Sequence, residues 1–169
     1  MARKAFWQSV LNPRAFTFGS ASAIVTSMGL VIGLESATAP QATVISGLLI
    51  VAVADNMSDS LSIHMYQEAE ELEARTAFKT TVMNFVARLL VALSFVTIVM
   101  AFPESYRPIA AITWGLLLLV VLSYLLAGIR GVSPVREIAK HLGIAILVIA
   151  TSRLIGSWIL HVSAANLFG

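Results

Sequence analysis

Residues 42–63 read ATVISGLLIVAVADNMSDSLSI, an apolar run of 22 residues with two aspartates, Asp55 and Asp59, inside it. A run of that length matches the roughly 20 residues a helix needs to cross a bilayer. A charged side chain within hydrocarbon costs about 2.5–3.5 kcal/mol on insertion scales, so intramembrane charges are usually paired or functional. Two bases fall in other apolar runs of the same chain, Arg88 and Arg153. What the protein does therefore turns on whether these four charges neutralise one another or serve an ion path.

Composition sets the class. The chain has 169 residues, 58% of them hydrophobic and 12% charged, with a mean hydropathy of +0.87. Soluble domains carry about 45–50% apolar and about 25% charged residues, so an integral membrane protein is expected. The net charge of +2 and the lack of a basic run give no reason to expect a nucleic-acid partner. With no cysteine, disulfides and thiolate metal sites are excluded. Ala37-Thr38-Ala39 mimics a signal-peptidase site but is read here as part of an uncleaved chain.

Five segments are long and apolar enough to span, at about 16–34, 42–63, 81–102, 109–128 and 142–163. None shows the alternating pattern of a barrel strand, so the fold class is all-α, with five transmembrane helices in a single membrane domain. Arg3, Lys4, Arg14, Arg75, Lys79, Arg130, Arg136 and Lys140 lie on one side of the bilayer and Arg107 on the other. That bias places the N-terminus in the cytoplasm and the C-terminus outside. Residues 64–80, HMYQEAEELEARTAFKT, contain no Gly or Pro, so the second helix is expected to continue into the cytoplasm. Met1–Phe16, with Phe6, Trp7 and Leu11 among basic residues, reads either as an interfacial helix or as a juxtamembrane tail.

At about 100° per residue, Asp55, Asp59, Ser62, Tyr66, Glu70 and Glu73 share one face of the second helix, with His64, Glu68 and Glu71 opposite. The stripe is either an ion path with carboxylate ligands or, beyond the hydrocarbon, a solvated helix face. Arg88, with Asn84 one turn before it, lies at a depth that matches Asp55 and Asp59. Arg153 falls near the middle of the fifth span. Met28, Met57, Met65 and Met83 are either core filler or soft ligands for a transition metal. His141 is expected to be solvated and His161 interfacial. No nucleophile–base set is present, so no enzyme activity is expected.

Residues 19–34, GSASAIVTSMGLVIGL, resemble the opening helix of the vacuolar iron transporter family, near G-x-x-D-G-x-x-T-x-x-G-L-x-x-G-L. Residues 46–58, SGLLIVAVADNMS, followed by Tyr66-Gln67-Glu68, are similar to that family's second helix. LAGIR at 126–130, His141-Leu142-Gly143 and TSRLIG at 151–156 fit its fourth and fifth helices. The resemblance covers about residues 17–160. It implies a homodimer in a lipid bilayer that moves ferrous and related divalent ions out of the cytoplasm in exchange for protons. Close helix approach at Gly29 and Gly33 would support that assembly.

The chain departs from the family where its chemistry lies. Ser22 stands at the first-helix aspartate position, His64-Met65-Tyr66 replaces G-E-Y, and Arg153 replaces a tyrosine. The large cytoplasmic metal-collecting helices are reduced to one short acidic stretch. The expected metal ligands are then Asp55, Asp59, Met57, His64, Glu68 and Glu71. Asp55, Asp59, Asn84, Arg88, Arg153 and Ser22 would handle protons or substrate. No cofactor is expected beyond the transported metal, and the expected location is a prokaryotic inner membrane. Two alternatives stand beside this reading: a scaffold whose Asp/Arg network only sets helix packing, and an anion or polar-solute transporter built on Arg88 and Arg153.

Overall fold

The computed structural model describes residues 13–69 and 74–168. It contains five long helices: α1 (Pro13–Ser36), α2 (Gln41–Ala69), α3 (Ala74–Ala101), α4 (Arg107–Arg130) and α5 (Pro134–Phe168). A short 3₁₀ turn, Glu104–Tyr106, joins α3 to α4. Each long helix has the length and apolar composition to cross a membrane. The exposed faces carry large apolar side chains, among them Leu90, Leu117, Leu147, Leu154 and Trp158. Lipid is the natural solvent for such surfaces.

The turns follow their residues. Thr38 takes a positive φ of 55° after α1, and Pro40 precedes α2 at a point where a missing amide hydrogen costs nothing. At the end of α4, Gly131 adopts the left-handed region at φ 65° and its amide bonds the Ala127 carbonyl, while Pro134 opens α5. The helix expected to continue beyond Ile63 does so to Ala69, and α3 begins at Ala74, seven residues before the expected span. Residues 1–12 of the expected interfacial segment, and Glu70, Glu71 and Glu73, lie outside the described residues.

α1 is the central helix and packs against all four others. Ile24, Met28, Val31 and Ile32 of α1 meet Val44 and Leu48 of α2, Phe95 and Val99 of α3, and Ala111 and Leu119 of α4. Met28 is fully buried, and its sulfur occupies the space a side chain at position 115 would take. It is therefore core, whereas Met57 and Met65 lie on the exposed face of α2.

The glycines expected to serve assembly between chains are used within one. Gly29 packs on Val148 and Ser152 of α5, and a Cβ at Gly156 would sit 2.2 Å from the Gly33 carbonyl oxygen and 2.8 Å from Ser36 Cβ. Backbone cannot give way as a side-chain tip can. Gly156→Ala should therefore lower the melting temperature in detergent. Gly143→Ala, where a Cβ would meet nothing within 4 Å, should leave it unchanged or raise it slightly, since alanine is the better helix former. Equal melting temperatures for the two variants would refute the close α1–α5 contact.

Candidate functional site

The site is built on the α2–α3 hairpin where α1 crosses it. Three of the four intramembrane charges meet there. Arg88 of α3 is 0% exposed and forms ion pairs with both Asp55 and Asp59 of α2, one through each terminal nitrogen. Its Nε donates to Asn56 Oδ1 at 2.7 Å, and Nη1 reaches the Gly19 carbonyl of α1 at 3.4 Å. A guanidinium is suited to this because its donors form a planar fork that engages several oxygens at once. Glycine at position 19 matters too, since a Cβ there would overlap the Asn84 side chain at 1.7 Å. The missing side chain lets α1 approach α3 closely enough for its backbone oxygen to reach Arg88.

The electrostatics are asymmetric. Two carboxylates and one guanidinium sum to −1. The arginine is sealed in, whereas the Asp55 and Asp59 side chains are 40% and 34% exposed. Around them lie buried polar atoms without a protein partner: Ser20 Oγ, Asn56 Nδ2, Ser60 Oγ, and both amide atoms of Asn84. Leaving one such group unsatisfied costs about 1–3 kcal/mol. Buried polar atoms of this kind are normally satisfied by ordered water or another polar group.

Towards the far end of the bundle an apolar crevice of about 790 Å³ runs along α1, between α2 and α5. Small residues and hydroxyls line it: Thr26, Gly29 and Gly33 of α1, Thr43, Ser46 and Gly47 of α2, Ser152 and Gly156 of α5. Ser22, half-buried, sits one turn below Thr26 on the same stripe of α1. Gly47 packs against Leu30 and Leu34. Asp55, eight residues on, lies about 12 Å nearer the basic end at 1.5 Å per residue.

The other expected residues are dispersed. Met57 is two residues from each aspartate, so it points about 200° away around α2, onto the exposed face. His64 Nε2 pairs with Glu68 at 3.3 Å, leaving His64 Nδ1 buried and unpartnered. Glu71 lies outside the described residues. Among the described residues, no three His, Asp or Glu side chains are grouped to hold a metal. His141, expected to be solvated, is half-buried, with Nδ1 2.7 Å from Ser123 Oγ.

Arg153 is a correction in depth. Ser152 and Gly156 pack on Gly33 of α1, which puts Arg153 level with about Leu34. That is fifteen residues along α1 from Gly19, or about 22 Å from the cluster. It lies within the apolar fifth span but is exposed, level with the last turn of α1 and not with the cluster, and makes no ion pair among the described residues. Sequence reasoning missed Asn56, Ser20 and Ser60, and also a second buried pair at the far end, Arg107 Nη1 to Glu35 Oε1 at 3.4 Å. Asn56 and Ser60 carried a signal, as polar residues one turn apart in an apolar run. Glu35 and Arg107 carried none, being 72 residues apart.

No family model, curated protein or solved structure matches this chain.

Proposed function

We propose that the chain is a homodimeric membrane transporter that moves a divalent cation of the Fe²⁺, Mn²⁺ or Zn²⁺ class out of the cytoplasm, with protons carried the other way. The observation that carries this reading is the one-sided tether on Asp55 and Asp59. A sealed arginine holds both acids, yet each carboxylate stays partly exposed within an apolar span. An arriving cation competes with Arg88 for those oxygens. Carboxylate oxygen is a hard ligand suited to divalent ions.

The same charge count supports the proposed dimer. One chain offers −1 at the cluster, and two chains related by a two-fold axis would offer −2, which balances the +2 of one divalent ion. Half-exposed carboxylates facing lipid are costly, and a second copy packed against this part of α2 would cover them. His64 and Glu68 stand about one and a half and two and a half turns beyond Asp59 towards the basic end, where they would receive ions from the cytoplasm. The resemblance to vacuolar iron transporters supports the same ion class, and the basic-residue bias supports a cytoplasmic N-terminus.

Orientation has a direct check. A reporter fused after Gly169 should read as external, and one inserted after Ala69 as cytoplasmic. The reverse pattern would overturn the export direction together with the topology.

One alternative has an observation of its own. Arg88 binds both acids at once, and no three-ligand metal group exists among the described residues. Both facts suit a scaffold whose ion network fixes helix packing. Wild-type flux in proteoliposomes separates the two readings.

A further inference from the structure

We propose that Arg153 binds the phosphate group of a membrane phospholipid at the far end of the bundle, on the flank of α5 beside the α1–α2–α5 crevice. Arg153 sits in an otherwise apolar stretch of α5 and is exposed there. No carboxylate among the described residues pairs with it. Glu35, at the same level of α1, is already held by Arg107 at 3.4 Å. An arginine near the end of a span keeps its stem in the apolar layer and its head at the lipid phosphates.

The surroundings fit a phospholipid better than a free anion. Arg153 lines a hollow of about 540 Å³ with Ser36, Ala150, Leu154 and Ser157. The Ser157 hydroxyl is spent on its own helix, donating to the Arg153 and Leu154 carbonyls. The donors left to face a ligand are the guanidinium and the Ser36 hydroxyl. Below Arg153, Ala150 and Ile146 precede it by three and seven residues, so they continue its face towards the bilayer centre. Both are exposed. A cation above an apolar track matches a headgroup above an acyl chain. Free phosphate would use the cation and leave the track empty.

The position also leaves room for lipid beside a second copy of the chain. Of the α5 residues that line the crevice, Val148, Ser152, Ile155 and Ile159 lie about 100–160° around α5 from Arg153 and Gly156 about 60°. Arg153 stands beside the crevice and does not line it, so a copy seated in the crevice need not cover it.

The test is native mass spectrometry of the full chain in a maltoside detergent, with phosphatidylglycerol added back. Wild type should hold an additional phospholipid per chain that Arg153→Gln loses and Arg153→Lys keeps. Phosphatidylglycerol should raise the melting temperature of wild type but not of Arg153→Gln, while the two melt alike without lipid, which shows that the variant folds. Diacylglycerol, which lacks the phosphate, should do neither. Equal phospholipid occupancy in wild type and Arg153→Gln would overturn the proposal. So would displacement of the lipid by millimolar inorganic phosphate, which would mark a soluble-anion site. So would loss of a dimer in Arg153→Gln at unchanged lipid occupancy, which would make the partner a second copy of the chain.

Discussion

Arg88→Gln should be the most destabilising single change at the cluster, well beyond either Asp55→Asn or Asp59→Asn. Arg88 is the shared partner of both acids and is itself fully buried. Removing it strands two carboxylates within the apolar span and leaves the Asn56 and Gly19 oxygens without their donor. Breaking a buried pair in this way costs about 3–5 kcal/mol. Removing one aspartate has the opposite electrostatic sense, because the remaining Asp–Arg pair is neutral where the intact cluster is −1. The expected order of melting temperatures in mild detergent is wild type close to Asp59→Asn, with Arg88→Gln far below both. Adding Asp55→Asn and Asp59→Asn to Arg88→Gln should restore much of the loss, since no charge is then left unpaired. If Asp59→Asn proves as unstable as Arg88→Gln, the arginine is not the common anchor.

That asymmetry was only partly legible in the sequence. The depths of Asp55, Asp59 and Arg88 in adjacent antiparallel spans could be counted from the span ends, and the pairing followed. The stoichiometry did not follow, because a helical wheel cannot tell which acid an arginine takes when both lie within a turn of it. The Gly19 carbonyl was invisible for a different reason: a backbone oxygen has no residue type, and only the α1–α3 crossing shows that it is accessible. His64 and Glu68 were readable from their one-turn spacing alone.

Arg153 shows where counting fails. The fifth apolar run has no proline or glycine after Gly156 to end it before Phe168, so α5 extends well past the other helices. The middle of that run is therefore not the middle of the bundle. What sets its level is Gly156 seated on the Gly33 carbonyl, a close approach between residues 123 positions apart. The span limits at the other turns were legible because Pro40, Pro108, Gly131 and Pro134 constrain the backbone locally. Spans and turns are written in local pattern, whereas the relative height of two helices is written in the packing between them.

The flux prediction uses the same asymmetry to separate function from stability. Asp55→Asn and Asp59→Asn keep the volume of each side chain and leave a neutral pair with Arg88, so each variant should fold. Each removes one charged oxygen from the proposed ion site. A charged ligand contributes about 1.5–3 kcal/mol, and every 1.4 kcal/mol is about tenfold in affinity. Each variant should therefore take up Mn²⁺, Fe²⁺ or Zn²⁺ into proteoliposomes roughly 10- to 100-fold less well at subsaturating metal, and the double variant should show no uptake. A pH dye inside the vesicles should report proton movement opposite to metal in wild type, and none in the double variant. A wild type that moves no ion across the panel, together with recovery of stability when all three charges are removed, would leave the scaffold as the surviving account. Uptake that persists in the double variant would keep a transporter but move its site off α2. The crevice residues Thr26, Ser46 and Ser152 would then be the next to vary, because they carry the polar atoms along the rest of α1.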